Sequence, residues 1–423
     1  MIAKHSILSA IPLSEDLSYP GPYFARLPSI DLRTCVTFLL RKSTPPGEGE
    51  ADVELDDLLS SQHSRNFKDE VGTKPFWRLT ILTTPFHQQF TAIWVVHHAL
   101  GDGISGLVFH RSFLSGLQST IISGEVDAIL LSPKNALLPP LEDMHPLPLS
   151  IGFLMKGQWN EWFPPSLAGL WTGSVVKAPA PTPGRTHIKT IVFAKKQTSE
   201  LVALSRKNRT TVTATLEVVV ASALLANLGP EFGVVKGGGP ISLRSDIKSL
   251  DLNADVDIDQ TIGVYVSQYG YTHSRLPSSP ISTPALASFS WDEARAVRQT
   301  IVQEVTKMGS NSIVGLLRWV SDLQSFFTKR IGLPRGDSFE VSNVGVFKAG
   351  DMEGKEGWKV GRTVFSQCGA IVGAAFGVSV VTGGDGCAVM AFSWLDAVVE
   401  DGFMGDVIEG VEEEIDKLLK GDV

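Results

Sequence analysis

The chain has 423 residues, enough for two domains of about 200 residues each. Its hydrophobic content of 43% and charged content of 19% are typical of a protein with a large buried core. The net charge of −8 and the pI near 5.6 argue against nucleic acid as a main partner. The three cysteines, Cys35, Cys368 and Cys387, show neither a disulfide framework nor metal-ligand spacing.

The chain shows no convincing targeting or membrane-spanning segment. The apolar run in Met1–Pro12 is too short for a signal peptide. The longest apolar stretch, Cys368–Val381, has 14 residues, contains three glycines and is rich in β-branched residues, so it predicts a buried strand. We therefore expect a cytoplasmic monomer without a membrane span.

The first half alternates strand and helix patterns. Apolar, β-prone runs predict strands at Thr34–Leu40, Arg78–Thr83 and Gln89–Val96, and a helix is predicted over Ile104–Gln118. A proline-rich stretch and a Trp/Phe-rich stretch follow. The alternating prolines of Ala178–Gly184 indicate a linker, which predicts one domain over residues 1–178 and a second over residues 187–423.

The second half is also mixed α/β. Strands are predicted at His187–Ala194, at the run ending in Arg244, at Ile371–Val381 and at Cys387–Trp394, the last two joined by a hairpin turn at Thr382–Gly386. Helices are predicted at Thr198–Lys207, at Val212–Leu228, from a capping box at Ser290 to about Lys307, and at Phe403–Leu419.

One motif carries the chemistry: His97-His98-Ala99-Leu100-Gly101-Asp102-Gly103, between the strand Gln89–Val96 and the helix Ile104–Gln118. Side chains at a strand end can project into a cleft while the sheet holds them still. Histidine is suited to move a proton near neutral pH. Asp102 is placed to orient an imidazole or to brace the loop against an arginine, and Gly103 permits backbone angles that a Cβ would forbid.

This segment resembles the signature of the CoA-dependent acyltransferase superfamily, which includes chloramphenicol acetyltransferases, plant BAHD acyltransferases, condensation domains and fungal alcohol acetyltransferase-like proteins. The resemblance implies an α/β fold of two chloramphenicol-acetyltransferase-like sandwiches with a channel between them. It implies His98 as the general base beside His97, and Asp102 as a mainly structural acid.

Further segments extend the resemblance. Ser342-Asn343-Val344-Gly345, inside an apolar strand, is similar to a Ser-Asn-x-Gly stretch of the fungal proteins that approaches the channel, which implies Ser342 or Asn343 as a hydrogen-bond donor to the substrate or the oxyanion. From the residues alone, a bulge is an equally good interpretation. Gly103 is a further candidate substrate contact.

Two arginines are candidate structural residues. Arg33 lies where related enzymes often place an arginine that pairs with the motif aspartate, so an Arg33–Asp102 pair is expected, with Arg26 as a competing candidate. Arg244 matches a recurrent strand-end Leu-Arg, and its expected role is structural.

Two departures from the resemblance are visible. The Asp-Phe-Gly-Trp-Gly motif of plant BAHD enzymes is absent, which favours the fungal-type branch. Only 96 residues precede the motif, and the first 23 lack the expected opening strand and helix, which is compatible with a later start than in the family.

We therefore predict an enzyme that moves an acyl group, expected to be acetyl, from acyl-CoA to a hydroxyl or amine of a small, specialised-metabolite acceptor, without metal or permanently bound cofactor. Two alternatives stay open: a condensation-like enzyme that takes its acyl group from a carrier protein, and a repurposed member that isomerises or cyclises a specialised metabolite. A non-enzymatic scaffold is disfavoured by the intact His98 and Asp102.

Overall fold

The structure is a computed structural model of the chain. It describes residues 1–69, 71–85, 89–119, 127–163, 166, 168–177, 184–247, 256–275, 289–350 and 357–421.

The described residues form a mixed α/β fold, as predicted. The strands are β1 (Ala10–Leu13), β2 (Tyr23–Arg26), β3 (Ser29–Asp31), β4 (Val36–Leu40), β5 (Trp77–Thr83), β6 (Phe90–Val96), β7 (Ile129–Leu131), β8 (Thr186–Phe193), β9 (Val234–Ser242), β10 (Val266–Ser274), β11 (Asp337–Val346), β12 (Ala374–Thr382) and β13 (Ala388–Leu395). The helices are α1 (Leu32–Cys35), α2 (Val53–His63), α3 (Gly103–Ser119), α4 (Leu141–Met144), α5 (Ile151–Trp162), α6 (Lys195–Lys207), α7 (Val212–Asn227), α8 (Arg244–Ile247), α9 (Trp291–Thr306), α10 (Ile313–Leu317), α11 (Leu323–Thr328) and α12 (Asp401–Lys420), with short 3-10 helices at Ser6–Ser9 and Ile258–Gln260.

Most predicted elements are confirmed within a few residues. The expected capping box at α9 is present in part: the Ser290 hydroxyl accepts the Glu293 amide, but the Glu293 carboxylate bonds His273. The main local differences are a helical turn, α1, where the strand Thr34–Leu40 was expected to begin, and the additional helix α5 in the Trp/Phe-rich stretch. Residues 178–183 of the predicted linker lie outside the described residues, so the domain boundary there stays a prediction.

Each half of the chain has its own sheet. In the first half, β5 pairs with β4 in parallel and with β6 in antiparallel orientation. In the second half, the strand order is β11-β12-β13-β8. Helices α7 and α12 pack with this sheet around the largest hydrophobic core, and every residue of α7 from Ala214 to Leu225 is buried. The apolar face predicted for the last helix is largely confirmed, since Val407, Val411, Ile415 and Leu418 are buried.

Glycines let β9 approach β11, the strand that carries the Ser-Asn-x-Gly segment. A Cβ placed on Gly239 would lie 2.2 Å from the carbonyl oxygen of Val341. The Ser338 hydroxyl also accepts the Lys236 amide of β9, at 3.0 Å. The two strands therefore lie side by side, and at position 239 only a residue without a side chain leaves room for the backbone of β11.

Helix α2 of the first half covers the edge of β8 in the second. Side chains four residues apart on the helix accept amides two residues apart on the strand: Asp56 from Thr190, Ser60 from Ile188 and the following Ser64 from Thr186, at 2.9, 2.9 and 3.1 Å. Four helical residues rise about 6 Å and two strand residues about 6.6 Å, so the spacings match. The amides of this edge strand are thereby satisfied, and the two halves are joined.

A buried polar cluster lies behind the second sheet. His273 of β10 bonds Glu293 of α9 at 2.9 Å through Nδ1 and Glu217 of α7 at 3.4 Å through Nε2, and the Tyr269 hydroxyl donates to Glu217. Burial by itself lowers the pKa of His273, but the hydrogen bonds and charges of the two glutamates outweigh it and raise the pKa above its usual value. The protonated imidazole therefore compensates the buried carboxylates.

The raised pKa predicts a pH dependence of stability. The contribution of protonated His273 is complete below about pH 6.5, the unperturbed pKa of histidine, and is lost as the pH rises through the higher folded-state pKa. Denaturant unfolding of wild type and His273→Gln at a series of pH values should show their difference in unfolding free energy shrinking above pH ~6.5. A difference that stays constant or grows with pH would contradict the raised pKa.

Candidate active site

The histidine motif forms a tight loop between β6 and α3. The loop begins where the His97 amide donates to the Phe76 carbonyl, and the Leu100 amide then turns back to the His97 carbonyl. The Asp102 carboxylate accepts the Ser105 amide at 2.9 Å, which caps the first turn of α3. The predicted arrangement of strand, loop and helix is thus confirmed.

His98 is held by one hydrogen bond within the loop. Its Nδ1 lies 3.1 Å from the carbonyl oxygen of Gly101. Because a carbonyl oxygen can only accept, Nδ1 of the neutral ring carries the proton, and Nε2 keeps its lone pair. The side chain is exposed. An oriented imidazole with a free, accessible Nε2 can serve as a general base.

His97 lies in a different environment. Its ring packs edge-on against Phe67 and Phe76, with centroid distances of 5.9 and 5.4 Å. Its Nδ1 accepts the Ala99 amide at 3.2 Å. Burial lowers the pKa of His97, which favours the neutral ring. These contacts give His97 a part in holding the loop, and a catalytic role for it stays a prediction.

Asp102 and Arg244 form a buried ion pair that joins the two halves. Arg244 Nη2 lies 2.9 and 3.1 Å from the two carboxylate oxygens, and the side chains are only 3% and 2% exposed. Asp102 also accepts the Tyr265 amide at 3.1 Å. Arg244 Nη1 donates to the carbonyls of Ile258 and Thr261 at 2.5 and 2.8 Å. Both charges are therefore compensated by further hydrogen bonds, as burial requires.

The expected Arg33–Asp102 pair is wrong. Arg33 binds Asp31, two residues earlier, at 2.7 Å, and its side chain is 68% exposed. The competing candidate, Arg26, donates instead to the carbonyls of Pro133 and Asn135, at 2.5 and 2.6 Å. The physical reason is local: Asp31 caps the turn on which Arg33 lies and captures its guanidinium, whereas Asp102 points into the second half.

Strand β11 forms a wall opposite the motif loop. Alternate residues Phe339 and Val341 are buried in the second-half core, so Glu340, Ser342 and Val344 lie on the other face. That face meets the motif: a Cβ on Gly103 would lie 2.7 Å from Val344 Cγ1 and 2.9 Å from Phe365 Cζ. Gly103 is required by this close approach rather than by its backbone angles.

Glu340 adds a half-buried carboxyl group to this wall. Burial raises its pKa, and the neighbouring charge of His98 acts in the opposite direction. Glu340 was not among the predicted site residues, although a charged residue inside an apolar strand was a visible signal. His98 and Glu340, from different halves of the chain, are therefore neighbours.

Ser342 and Asn343 differ in orientation. The Asn343 amide group donates to Thr213 of α7 at 3.1 Å and accepts the Gly345 amide at 2.8 Å. It thereby holds the irregularity in β11 between Asn343 and Val346, which was the alternative interpretation of the segment. The Ser342 hydroxyl has no hydrogen-bond partner among the described residues and shares a face with Glu340 and Val344. Ser342 is therefore the better placed of the two to donate to a substrate.

A cavity of about 930 Å³ reaches Asp102 and Gly103 of the motif, whereas His98, Ser342 and Asn343 are not among the residues that line it. Its walls come from α2, α3, β6 and β8, and from residues 357–366, a segment of the second half that crosses to the first. Trp358 of this segment contacts Phe90 at 5.1 Å between ring centroids, and Arg362 donates to the Glu50 carbonyl at 3.1 Å. No sequence pattern indicated this crossing segment.

Among the described residues, no group of three or more His, Cys, Asp or Glu side chains could hold a metal ion. No single described helix is long and apolar enough to cross a bilayer; only α6 and α7 taken together as a bent pair meet that requirement.

Comparison with known sequences gives one family. The profile of the alcohol acetyltransferase family matches residues 50–406. The probable alcohol acetyltransferase crmB of Aspergillus fumigatus is 35% identical over 424 aligned positions, covering 97% of this chain and 87% of that protein. The probable alcohol acetyltransferase FCK4 of Fusarium pseudograminearum is 22% identical over 95% of this chain and 80% of its own length.

Solved structures show the same fold. The trichothecene 15-O-acetyltransferase TRI3 of Fusarium sporotrichioides matches with a TM-score of 0.62 and 11% identity, over 98% of this chain and 83% of its own. The epimerization domain of tyrocidine synthetase B matches with a TM-score of 0.54 and 13% identity, over 99% and 85%. These likenesses confirm the predicted fold class of two αβ sandwiches.

The Asp102–Arg244 pair predicts that replacing two different arginines changes the stability of the protein by very different amounts. Arg244→Ala leaves Asp102 buried and unpaired, so the free energy of unfolding should fall by about 3–5 kcal/mol. Arg33→Ala removes only an exposed pair and should leave stability essentially unchanged. Denaturant melts of both variants test this, and equal stability losses would refute the assignment of Arg244 as the partner of Asp102.

Proposed function

The chain belongs to the alcohol acetyltransferase family, and we propose that it transfers an acetyl group from acetyl-CoA to the hydroxyl of a small alcohol, with His98 as the general base. The family supports the acyltransferase activity expected from the motif. The donor, the hydroxyl acceptor and the residue roles are our proposal. The observation that carries it is the Nδ1–Gly101 hydrogen bond, which leaves Nε2 of His98 free to take a proton.

The reaction proceeds through one tetrahedral intermediate. The acceptor hydroxyl donates to Nε2 of His98, which takes its proton as the oxygen attacks the thioester carbonyl of acetyl-CoA. The C–O bond forms, and the carbonyl electron pair moves to oxygen. Collapse breaks the C–S bond, and the leaving CoA thiolate takes the proton from His98. The imidazole thus returns to its starting state, and no covalent acyl-enzyme is required.

The oxyanion of the intermediate needs a donor, and Ser342 supports that role. Its face of β11 meets the motif loop through the contact between Val344 and Gly103. A hydroxyl fixed on a strand does not need to reorganise as the charge develops, which is what makes such donors effective.

Asp102 and Arg244 serve as positioning residues. Their ion pair holds the start of α3 against the second half. The Asp102 amide also donates to the Gly263 carbonyl of the second half at 3.0 Å. The loop that carries His98 and the wall that carries Ser342 are thereby fixed relative to each other, which is the condition for general-base catalysis between two bound substrates.

The base assignment predicts a contrast between adjacent histidines. His98→Ala should lower kcat at least ~10²-fold, because positioned general-base catalysis supplies ~10²–10⁴. His97→Asn keeps an acceptor for the Ala99 amide and should lose much less. CoA release from acetyl-CoA, with a panel of alcohols and the matching amines, measures both. A His98→Ala enzyme that turns over at the wild-type rate would exclude the mechanism, and transfer to amines alone would exclude the hydroxyl acceptor.

The two β11 residues predict a second contrast. Ser342→Ala should lower kcat by about 10²-fold, the usual effect of removing one oxyanion donor, while the melting temperature changes little. Asn343→Ala should act mainly on stability, since its amide group bonds Thr213 and Gly345. The measurements are kcat and melting temperature for each variant. The opposite pattern would assign the donor role to Asn343.

A further inference from the structure

One face of α3 forms a long wall of the cavity. The residues on this face recur every three or four positions, as a single helix face requires: Gly103, Gly106, Leu107, His110, Phe113, Leu114 and Leu117. Aliphatic residues of α2 and β6 face them. The cavity therefore begins beside Asp102 and Gly103 and follows the apolar face of α3 as a slot, while its wall as a whole has slightly more apolar than polar surface.

The dimensions and charge of this slot select its occupant. At about 930 Å³ it lies near the upper end of the ~300–1,000 Å³ range of pockets that enclose a drug-sized ligand, far more than an acetyl group fills. The phosphates of CoA would need free cations. However, of the three cationic side chains in the wall, Arg41 and Arg362 are already paired, with Asp52 at 2.7 Å and with Asp385 at 2.8 Å, and only Lys359 is left. The wall also carries the carboxylates of Glu48 and Asp102, so it has no excess of positive charge. The slot therefore fits the apolar body of the alcohol better than the acetyl donor.

His110 is a polar group of the slot that the mechanism does not use; Trp94 Nε1 and Thr363 Oγ1 in the same wall also lack a hydrogen-bond partner among the described residues. Burial lowers its pKa to about 4, so the ring is neutral at physiological pH. Its ring contacts Phe109, and its nitrogens have no hydrogen-bond partner among the described residues. A neutral imidazole offers one donor and one acceptor to a ligand. By contrast, His63 in the same wall is already bonded to the Ser366 hydroxyl, at 2.9 Å.

Gly106 leaves a gap in the wall. A Cβ placed there would meet no heavy atom within 4 Å, so a side chain at this position would extend into open space. Gly116, on the same helix, is exposed and also has nothing within 4 Å of its Cβ position, but it does not line the cavity. The two glycines are therefore equally uncrowded, and they differ in that only Gly106 lines the cavity.

We propose that the slot along α3 binds a large apolar alcohol that carries a second polar group, with Gly106 setting the size of the acceptor and His110 hydrogen-bonding the second polar group. The inference rests on the proposed acetyl transfer, because it assigns the slot to the acceptor of that reaction. It goes further by naming the class of acceptor and the two residues that select it.

The test of Gly106 compares acceptors of different length. Wild type, Gly106→Ala, Gly106→Leu and the control Gly116→Leu are assayed with acetyl-CoA and 1-butanol or 1-decanol. Gly106→Leu should lower kcat/KM for decanol at least tenfold and change that for butanol less than twofold, with Gly106→Ala intermediate and Gly116→Leu like wild type. Equal losses for both alcohols, or no loss for decanol, would overturn the role of Gly106. Melting temperatures show which variants fold, and the alanine variant keeps the test valid if the leucine variant does not.

A binding measurement separates this inference from the proposed function. Trp94 and Trp358 line the slot, so quenching of their fluorescence reports binding of decanol or 1,10-decanediol without acetyl-CoA. If Gly106→Leu weakens the binding of decanol but the wild type has no acetyltransferase activity, the proposed function is refuted and the assignment of the slot is not. If the wild type transfers the acetyl group but Gly106→Leu binds decanol as well as the wild type does, only the assignment of the slot is refuted.

The same measurement tests His110. His110→Phe should weaken binding of the diol about tenfold, the effect of one lost hydrogen bond, and leave decanol binding within twofold. Equal effects on the two ligands would show that His110 acts through packing and would overturn its role as the polar contact.

Discussion

The buried ion pair between Asp102 and Arg244 is the constraint on which the site depends. The two residues are 142 positions apart, one in the motif loop and the other directly after β9. Breaking such a pair leaves a charge without compensation in the interior, which is far more costly than losing a surface pair. The halves therefore dock in a defined way, and the loop with His98 cannot move independently of the second half.

Other contacts between the halves also provide hydrogen-bond partners for polar groups. Helix α2 supplies acceptors for the edge amides of β8, and the crossing segment 357–366 reaches the first half through Trp358 and Arg362. These contacts surround the cavity, which remains open because Gly106 contributes no side chain. The same surfaces that join the halves thus leave a slot along α3 that leads to the motif.

In our proposal, catalysis is divided between the halves. The base comes from the first half, and the oxyanion donor, on a strand that also carries the half-buried Glu340, comes from the second. Val344 against Gly103 keeps the two walls in contact. A change in how the halves dock would therefore affect base and donor together, which explains why the residues that join them are as important to the site as those that meet the substrate.

The sequence by itself determined whatever depends on local pattern. The strand before the motif and the helix after it follow from periodicity and from residues a few positions apart, as does the capped helix at Ser290. The choice of His98 as the base came from the resemblance of the motif and stays a prediction. Only the tertiary structure decided which side chains pair with each other. Arg244, and not Arg33, binds Asp102, and Asn343 turns to Thr213. The slot forms between α3 and a segment more than 200 residues later. Close to it, Arg111 of α3 donates to the Lys348 carbonyl at 3.1 Å, across a sequence separation of 237. The physical reason is that periodicity reports which face of an element is buried, whereas an ion pair or a cavity depends on which distant elements dock against that face.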